Sequence, residues 1–234
     1  MSSISDNLQA VHERVAAAAR SVSRNPQEIT LLAVSKTFGA DAVIAAAQAG
    51  QRAFGENYLQ EALDKMDAVR AARPDLQLEW HFIGPIQSNK TRPIAERFDW
   101  VHSVEREKIA QRLSDQRPEH LPPLNVCLQI NISDEASKSG AAPEGAAPLA
   151  HAIAAMPRLK VRGLMAIPEP EPDFEQQRLP LRRLRQLYDQ LNERGLALDT
   201  LSMGMSADLD AAVAEGATII RIGTAIFGQR HYAK

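Results

Sequence analysis

Short apolar runs alternate with longer amphipathic stretches along most of the chain. The short runs have the length of buried strands, and the longer stretches repeat apolar residues at the 3.6-residue spacing of a helix. We predict eight strands, over residues 31–34, 52–54, 80–83, 100–102, 126–130, 162–165, 201–203 and 219–222. Because strands and helices alternate strictly, the pattern favours a parallel sheet with right-handed crossovers.

A helix is predicted ahead of the first strand and one after each of the first seven strands. Ser5 and Asp6 are the expected N-terminal caps of the first helix. The others are predicted over residues 41–49, 59–71, 89–97, 106–116, 149–156, 181–194 and 208–215. Residues 168–172 alternate Pro with Glu, which cannot continue a helix, and are expected to form an exposed loop.

Eight strand-then-helix units, counting a short final turn after Gly223, predict an α/β fold: a single (β/α)8 TIM barrel with an extra N-terminal helix. We expect one domain over residues 1–234, with residues 1–25 as the helix that packs on the barrel. An open doubly wound sheet is the alternative. A dinucleotide-binding sheet of that kind carries G-x-G-x-x-G after its first strand, and this chain has no such motif there.

The composition narrows the class of protein further. The chain has 234 residues, and 27 Lys and Arg against 29 Asp and Glu give a net charge of −2. Near-balanced charge gives no electrostatic reason to expect nucleic acid or a membrane surface as a partner. No apolar run approaches the ~18–20 residues of a membrane span, and no signal peptide is visible. We expect a cytoplasmic protein, acting as a monomer, with its single cysteine, Cys127, buried in the core.

Lys36 is the most informative residue at the predicted strand ends, where barrels build their sites. It follows the apolar run 31–35, so its amine is expected at the mouth of an apolar barrel. Desolvation there disfavours the charged ammonium and favours an amine that can form a Schiff base. A lysine that merely reaches from a strand end into solvent is the alternative interpretation.

Two glycine-containing segments follow the seventh and eighth predicted strands. Gly204 and Gly223 let backbone N–H groups approach an anion, and barrels frequently bind phosphate in these two loops. Ser206 and Thr224 add hydroxyl donors. Arg221 shares one side of the pleat with Gly223 and needs a partner if it faces inward. Together with a Schiff-base lysine, the pattern indicates either pyridoxal 5′-phosphate or a phosphorylated sugar aldehyde bound by an aldolase.

Other polar residues at the strand ends have structural interpretations. His81 and His102 lie on neighbouring predicted strands, but two histidines without a clear carboxylate partner make a weak metal site. We expect no metal, and histidines that are hydrogen-bonded at the rim or in the core. Glu56, beside Asn57, is expected to make structural hydrogen bonds.

Seven segments of the sequence resemble the signatures of one family. They are the runs LAVSKT from Leu32, FGENY from Phe54, WHFIGPIQSNK from Trp80, NIS from Asn131 with SKSG from Ser137, GLMAIP from Gly163, SMGMS from Ser202 and RIGTAIFG from Arg221. These motifs extend from the first predicted strand to the last. On them the chain resembles the pyridoxal phosphate homeostasis proteins, the YggS or proline synthase co-transcribed family.

The resemblance implies a barrel like the N-terminal domain of alanine racemase, with pyridoxal 5′-phosphate (PLP) as its cofactor. Lys36 would carry the cofactor covalently as an internal aldimine. Arg221 would face the pyridine nitrogen, and Asn57 would lie near the ring. Such proteins are thought to carry or buffer the cofactor, which affects amino-acid balance, and PLP-dependent apo-enzymes are their implied partners.

The same resemblance implies two sets of contacts beyond the ring. Ser206, Gly223 and Thr224 would hold the phosphate group. Lys138, in the segment that follows the fifth predicted strand, would make a second and weaker cofactor contact.

We expect a PLP-binding protein that is not an enzyme. An arginine at the ring nitrogen disfavours its protonation and weakens the electron sink, although racemases of this fold share that arginine. Such racemases also take an opposite-face base from a further β domain, whereas here only Tyr232 remains near the end of the chain. The alternatives are a PLP-dependent amino-acid enzyme such as a racemase and a Schiff-base sugar-phosphate aldolase.

Overall fold

Eight parallel strands close into a barrel in a computed structural model that describes residues 3–133 and 139–229. The strands are β1 (Thr30–Val34), β2 (Ala53–Glu56), β3 (Glu79–Phe82), β4 (Trp100–Val104), β5 (Leu124–Gln129), β6 (Leu159–Met165), β7 (Thr200–Ser202) and β8 (Ile219–Ile222). Each strand pairs with its neighbour in the chain, and β8 closes the sheet on β1 with Leu32 opposite Arg221. The predicted (β/α)8 barrel is confirmed.

Nine helices surround this barrel in the part of the chain that the structure describes. They are α1 (Ile4–Ser21), α2 (Ala40–Gln48), α3 (Leu59–Ala72), α4 (Thr91–Arg97), α5 (Glu107–Gln116), α6 (Ala146–Ala154), α7 (Phe174–Glu193), α8 (Leu209–Ala214) and α9 (Thr224–Phe227). Each of the eight strands is followed by a helix, and α1 is the extra N-terminal one. No helix in the described ranges is long and apolar enough to cross a membrane.

Most helix boundaries lie within three residues of the prediction, and the starts of α1 and α7 show why two of them differ. The cap of α1 is Ser3, not Ser5: its hydroxyl accepts from the Asp6 N–H, and the Asp6 carboxylate accepts from the Ser3 N–H. This reciprocal pair satisfies two N–H groups that no helical carbonyl can reach. Helix α7 begins at Phe174 rather than residue 181, because it accommodates Pro180 within its length.

The apolar residues form two layers. The larger core lies between the barrel and its helices, and a smaller group fills the barrel interior: Leu32, Ala53, Trp100, Cys127, Met165 and Ile219. Cys127 is fully buried as predicted, and burial raises the pKa of its thiol to about 12, so the thiol is unreactive at neutral pH.

Gly163 marks a very close approach between β6 and β7. A Cβ atom at this position would lie 1.7 Å from the Thr200 carbonyl oxygen. Because no side chain fits that space, glycine is required for the two strands to pair at this point.

Helix α1 packs against α8 and α9 and fixes the loops that follow β7 and β8. The Asn7 side-chain amide donates to the Ile226 carbonyl at 2.9 Å. Arg14 donates to the Ser206 carbonyl at 2.9 Å and to the Asp210 carboxylate at 2.7 Å. The extra N-terminal helix therefore braces one end of the barrel. That residues 1–234 form one domain remains a prediction.

Candidate functional site

The predicted site residues lie at the carboxyl end of four strands that are consecutive around the barrel: β7, β8, β1 and β2. Lys36 follows β1 by two residues, and Asn57 directly follows β2. Ser206 lies in the loop after β7, whereas Gly223 and Thr224 directly follow β8. Since parallel strands end at the same edge, these five residues occupy one sector of the barrel mouth.

The turn that carries Lys36 is held on both sides. Ser35 donates its backbone N–H to the Gly55 carbonyl at 3.0 Å and its hydroxyl to the Glu56 carboxylate at 2.6 Å. Thr37 has a φ of +69°, in the left-handed region, and its N–H donates to the Glu61 carboxylate at 2.6 Å. A left-handed, β-branched residue costs energy, so these contacts hold the lysine turn in one conformation.

A buried ion pair lies beneath this turn. The Lys65 ammonium lies 2.6 Å from the Glu56 carboxylate and also donates to the Ser35 carbonyl at 2.7 Å. The Lys65 ammonium also lies 3.0 Å from the Glu61 carboxylate. One cation therefore contacts both carboxylates. Burial raises the pKa of the Glu56 carboxyl, and the Lys65 ammonium opposes that shift. Glu56 thus has the structural role expected from the sequence.

Sequence reasoning missed Lys65. It lies within a predicted amphipathic helix, where a lysine is ordinarily exposed, yet only 5% of its surface is accessible. The sequence signal was its position four residues after Glu61, which places the two side chains on the same face of α3.

Asn57 contributes an unusual polar atom. Its side-chain oxygen is buried and has no hydrogen-bond partner among the described residues. Gly84 packs closely against the backbone of Asn57: a Cβ atom on Gly84 would lie 2.4 Å from the Asn57 backbone carbonyl oxygen. A buried acceptor without a partner is costly, which makes this oxygen a candidate ligand contact.

The loops after β7 and β8 bring backbone groups close together. Gly204 has a φ of +96°, and a Cβ atom on it would lie 2.5 Å from the Ala212 Cβ. A Cβ on Gly223 would lie 3.1 Å from the Val34 carbonyl oxygen, so the loop after β8 lies directly against the strand that leads to Lys36. Ser206 lies in the loop after β7 and Thr224 begins the helix after β8. Their role in holding a phosphate group stays a prediction.

Arg221 lies in β8 and is 4% exposed. Its Nη1 donates to the Ser202 carbonyl at 2.7 Å and to the Ser202 hydroxyl at 2.8 Å, and its Nη2 donates to the Ala166 carbonyl at 3.0 Å. The Nε–H is not used in hydrogen bonds among the described residues. Burial lowers the pKa of the guanidinium to about 10, which leaves it charged at neutral pH.

The two histidines are buried and hydrogen-bonded, as the sequence predicted. His81 Nδ1 lies 2.8 Å from His102 Nε2, and the outer nitrogens reach Glu79 at 2.8 Å and Ser202 at 2.7 Å. Burial lowers the pKa of both imidazoles, so both are neutral at pH 7. No group of three or more His, Cys, Asp or Glu residues that could hold a metal occurs within the described ranges.

The donor set at the mouth fits pyridoxal phosphate. A primary amine suits its aldehyde, hydroxyls on two glycine-containing loops suit its phosphate, and a guanidinium suits its ring nitrogen. The buried Asn57 oxygen offers one further polar contact. Lys138 and Tyr232 lie outside the residues that the structure describes.

Comparison with known proteins gives consistent matches over the whole chain. The family model described as alanine racemase, N-terminal domain, matches residues 7–231. A protein of Pseudomonas aeruginosa named pyridoxal phosphate homeostasis protein is 61% identical over 232 residues, which is 99% of this chain and 98% of that protein. Its namesake in Escherichia coli K12 is 53% identical over 234 residues and the full length of both chains.

A solved structure adds a bound molecule to this comparison. PipY of Synechococcus elongatus PCC7942, a COG0325 family member solved with PLP bound, is 37% identical to this chain. The two structures superpose with a TM-score of 0.78 over 92% of this chain and 100% of PipY.

Proposed function

Because this chain belongs to the family of the pyridoxal phosphate homeostasis proteins, built on the alanine racemase N-terminal domain, we propose that it binds PLP and carries or buffers it in the cell. The family resemblance predicted from the sequence is confirmed. PLP binding is supported by the relatives' name and by the cofactor in PipY. The observation that carries the proposal is the lysine turn, clamped next to the loop after β8.

Lys36 binds the cofactor through its amine in this proposal. PLP supplies an aldehyde that condenses with a primary amine to a Schiff base and water. The Glu56–Lys65–Glu61 cluster does not react; it fixes Ser35 and Thr37 so that the lysine always leaves the turn in the same direction.

The remaining predicted residues orient the cofactor in the same proposal. Ser206, Gly223 and Thr224 receive the phosphate, Asn57 lies near the ring, and Arg221 faces the ring nitrogen. The Arg221 guanidinium is a cation that can only donate hydrogen bonds, so it disfavours a proton on that nitrogen. A neutral ring is a weak electron sink, which supports a carrier over an amino-acid racemase.

Transfer of the cofactor to PLP-dependent apo-enzymes, and action as a monomer, are part of the same proposal. The mouth of the barrel is the expected contact surface, because a carried cofactor must leave through it. A sugar-phosphate aldolase shares the lysine and the phosphate loops but has no support from the named relatives.

The test is the absorption spectrum of the purified protein with and without added PLP. We expect a visible Schiff-base band, and after borohydride reduction the cofactor should map to the peptide that contains Lys36. The Lys36→Ala variant should lose the band. Lys90→Ala, which removes an exposed lysine from the loop after β3, is the matched control and should keep it.

Two results would contradict the proposal. A wild-type protein that gains no band with PLP would reopen the aldolase alternative. Robust turnover of an amino acid by the wild type, lost in Lys36→Ala, would establish an enzyme in place of a carrier.

A further inference from the structure

A single row of hydrogen bonds crosses the interior of the barrel from the candidate site toward its opposite end. It runs from Arg221 Nη1 to Ser202 Oγ at 2.8 Å and from Ser202 Oγ to His102 Nδ1 at 2.7 Å. It continues from His102 Nε2 to His81 Nδ1 at 2.8 Å, and from His81 Nε2 to Glu79 Oε1 at 2.8 Å. Arg221 lies in β8 near the barrel mouth, whereas Glu79 is the first residue of β3.

The two ends give this row a direction. Arginine can only donate hydrogen bonds, and an ionised carboxylate can only accept them. With both imidazoles neutral, only one placement of the two ring protons allows all four hydrogen bonds to form. In that placement, each histidine carries its proton on Nε2. Arg221 then donates to Ser202, Ser202 to His102, His102 to His81 and His81 to Glu79.

Burial prevents water from replacing any internal member of the row. Ser202 and His102 are 0% exposed and His81 is 1% exposed, whereas the Glu79 side chain is 48% exposed. The carboxylate thus stands at the solvent-facing end. Hydrogen bonds in such a row polarise one another, so the charge at one end affects the bond at the other.

Among the described residues, the groups around the histidines supply no other strong hydrogen-bond acceptor. The Trp100 ring stacks on His81 with the ring centroids 5.3 Å apart and the planes 6° apart. Asp99 is the other carboxylate that acts on His81, but it does so only through its charge, and its Oδ2 accepts from the Trp80 N–H. Near His102 the charged groups are Arg221 and, if protonated, His81. Glu79 is therefore the group that sets the direction.

We propose that Glu79 is a positioning residue for Arg221: through His81, His102 and Ser202 it fixes the direction of the hydrogen bonds, and thereby the orientation of the guanidinium. With this direction, the Ser202 hydroxyl donates to His102 and keeps its lone pairs for Arg221. In the reverse direction, that hydroxyl accepts from both neighbours, and its own proton loses the acceptor it has now. The part that concerns the bound cofactor rests on the proposed function; the direction of the row does not.

The first test uses the protein without cofactor. Nitrogen-15 NMR of histidine-labelled protein should show both His81 and His102 protonated on Nε2 and not on Nδ1. In Glu79→Gln the amide can also donate to His81, so the row can run either way, and the resonances of His102 should move toward a mixture of tautomers. Glu119→Gln, which neutralises a carboxylate whose side chain is 91% exposed, is the control and should change neither histidine.

The second test reads the candidate site. PLP titration of Glu79→Gln should give a dissociation constant about three- to tenfold above that of the wild type, the scale of coupling within one hydrogen-bond network. Its Schiff-base band should titrate at a different pH from that of the wild type. If Glu79→Gln does not fold, Ser202→Ala breaks the row at the Arg221 end instead. Glu79 still sets the direction in that variant, so His102 should stay protonated on Nε2 while the PLP affinity falls.

The outcomes separate the two proposals. A wild-type His102 protonated on Nδ1, a His102 that does not respond to Glu79→Gln, or a His102 that changes tautomer in Ser202→Ala overturns the positioning role even if PLP binds at Lys36. Responsive tautomers in a protein that binds no PLP leave the row intact and overturn the proposed function. A third result is that the His102 tautomer responds to Glu79→Gln while the PLP affinity and the Schiff-base band stay unchanged. That result would limit the row to a structural role and overturn the positioning of Arg221 for the cofactor.

Discussion

Two buried cations lie beside the candidate site, and they are neutralised in different ways. Lys65 is in direct contact with Glu56 and Glu61, at 2.6 and 3.0 Å. Arg221 contacts only neutral oxygens, from Ser202 and Ala166, and the carboxylate of Glu79 lies at the far end of a row of hydrogen bonds. Both cations are about equally buried, at 5% and 4% exposed.

The difference separates a structural cation from one that can serve a ligand. The Lys65 ammonium is neutralised by carboxylates in direct contact with it. Glu56, Glu61 and the Ser35 carbonyl together hold it beneath the turn that carries Lys36. Arg221 retains an Nε–H that the described residues do not use, and Asp208, the carboxylate that raises its pKa, acts only through its charge. A cation of the second kind can still interact with a molecule in the barrel mouth.

The largest effect should come from breaking the direct ion pair. Lys65→Met leaves the Glu56 charge buried without its partner and should lower the free energy of unfolding by about 3–5 kcal/mol. Arg221→Met leaves no carboxylate stranded and removes bonds to neutral oxygens, so it should cost only about 1–3 kcal/mol. Urea denaturation measures both values.

The double variant Lys65→Met/Glu56→Gln is the control for this comparison. It removes both charges and should be more stable than Lys65→Met alone. If the two single variants cost the same, the distinction between the two cations is wrong.

The next effect is a dependence of stability on pH that arises from the histidine pair. Burial lowers the folded-state pKa of His81 and His102 below that of the unfolded chain, which is about 6.5. As the pH falls through that value, the unfolded chain therefore binds protons first. The free energy of unfolding should fall with it, by up to about 1.4 kcal/mol per pH unit for each histidine.

Denaturation at a series of pH values from about 7.5 to 5 measures this slope. His102→Asn should reduce it, because one of the two buried imidazoles is gone. His120→Asn removes an exposed histidine and should leave the slope as it is. A wild-type slope of zero in this range would mean that the folded protein takes up protons as readily as the unfolded chain, which contradicts the lowered pKa of the pair.

The smallest effect concerns the brace from the N-terminal helix. Arg14→Ala removes the bonds to the Ser206 carbonyl and to Asp210 on the surface, and should change the free energy of unfolding by less than about 1 kcal/mol. PLP affinity should still fall, because the loop after β7 loses one of its supports. Arg20→Ala, on an exposed part of the same helix, should leave affinity unchanged. Equal affinities in the two variants would show that α1 does not support the site.

The sequence predicted the barrel because apolar runs and helical stretches are local patterns. All eight strands occur where predicted to within a few residues. Lys36, Asn57, Ser206, Gly223 and Thr224 follow the strands that the sequence predicted ahead of them, and their contacts with a cofactor stay a prediction. Helix α7 was predicted too short because Pro180 usually marks a boundary, whereas here the helix continues through it.

The hydrogen-bonded row could not be predicted in the same way. His102 and Ser202 are 100 positions apart, and only closure of the barrel brings their side chains within 2.7 Å. Their residue types carry no spacing that would pair them. Likewise, the spacing of Glu61 and Lys65 predicts only that they share a face of α3. The burial of Lys65 comes with its contacts to Ser35 and Glu56, which lie elsewhere in the chain.

Closure of the barrel also determines when a newly synthesised chain can form the candidate site. Strand β1, which leads to Lys36, pairs with β8, and Asn7 contacts the Ile226 carbonyl 219 positions later in the chain. Ribosomes add roughly 5–20 residues per second, so β8 is synthesised roughly 10–40 seconds after Lys36. In the proposed function, the cofactor site therefore forms only after β8 and the loop that follows it have been made.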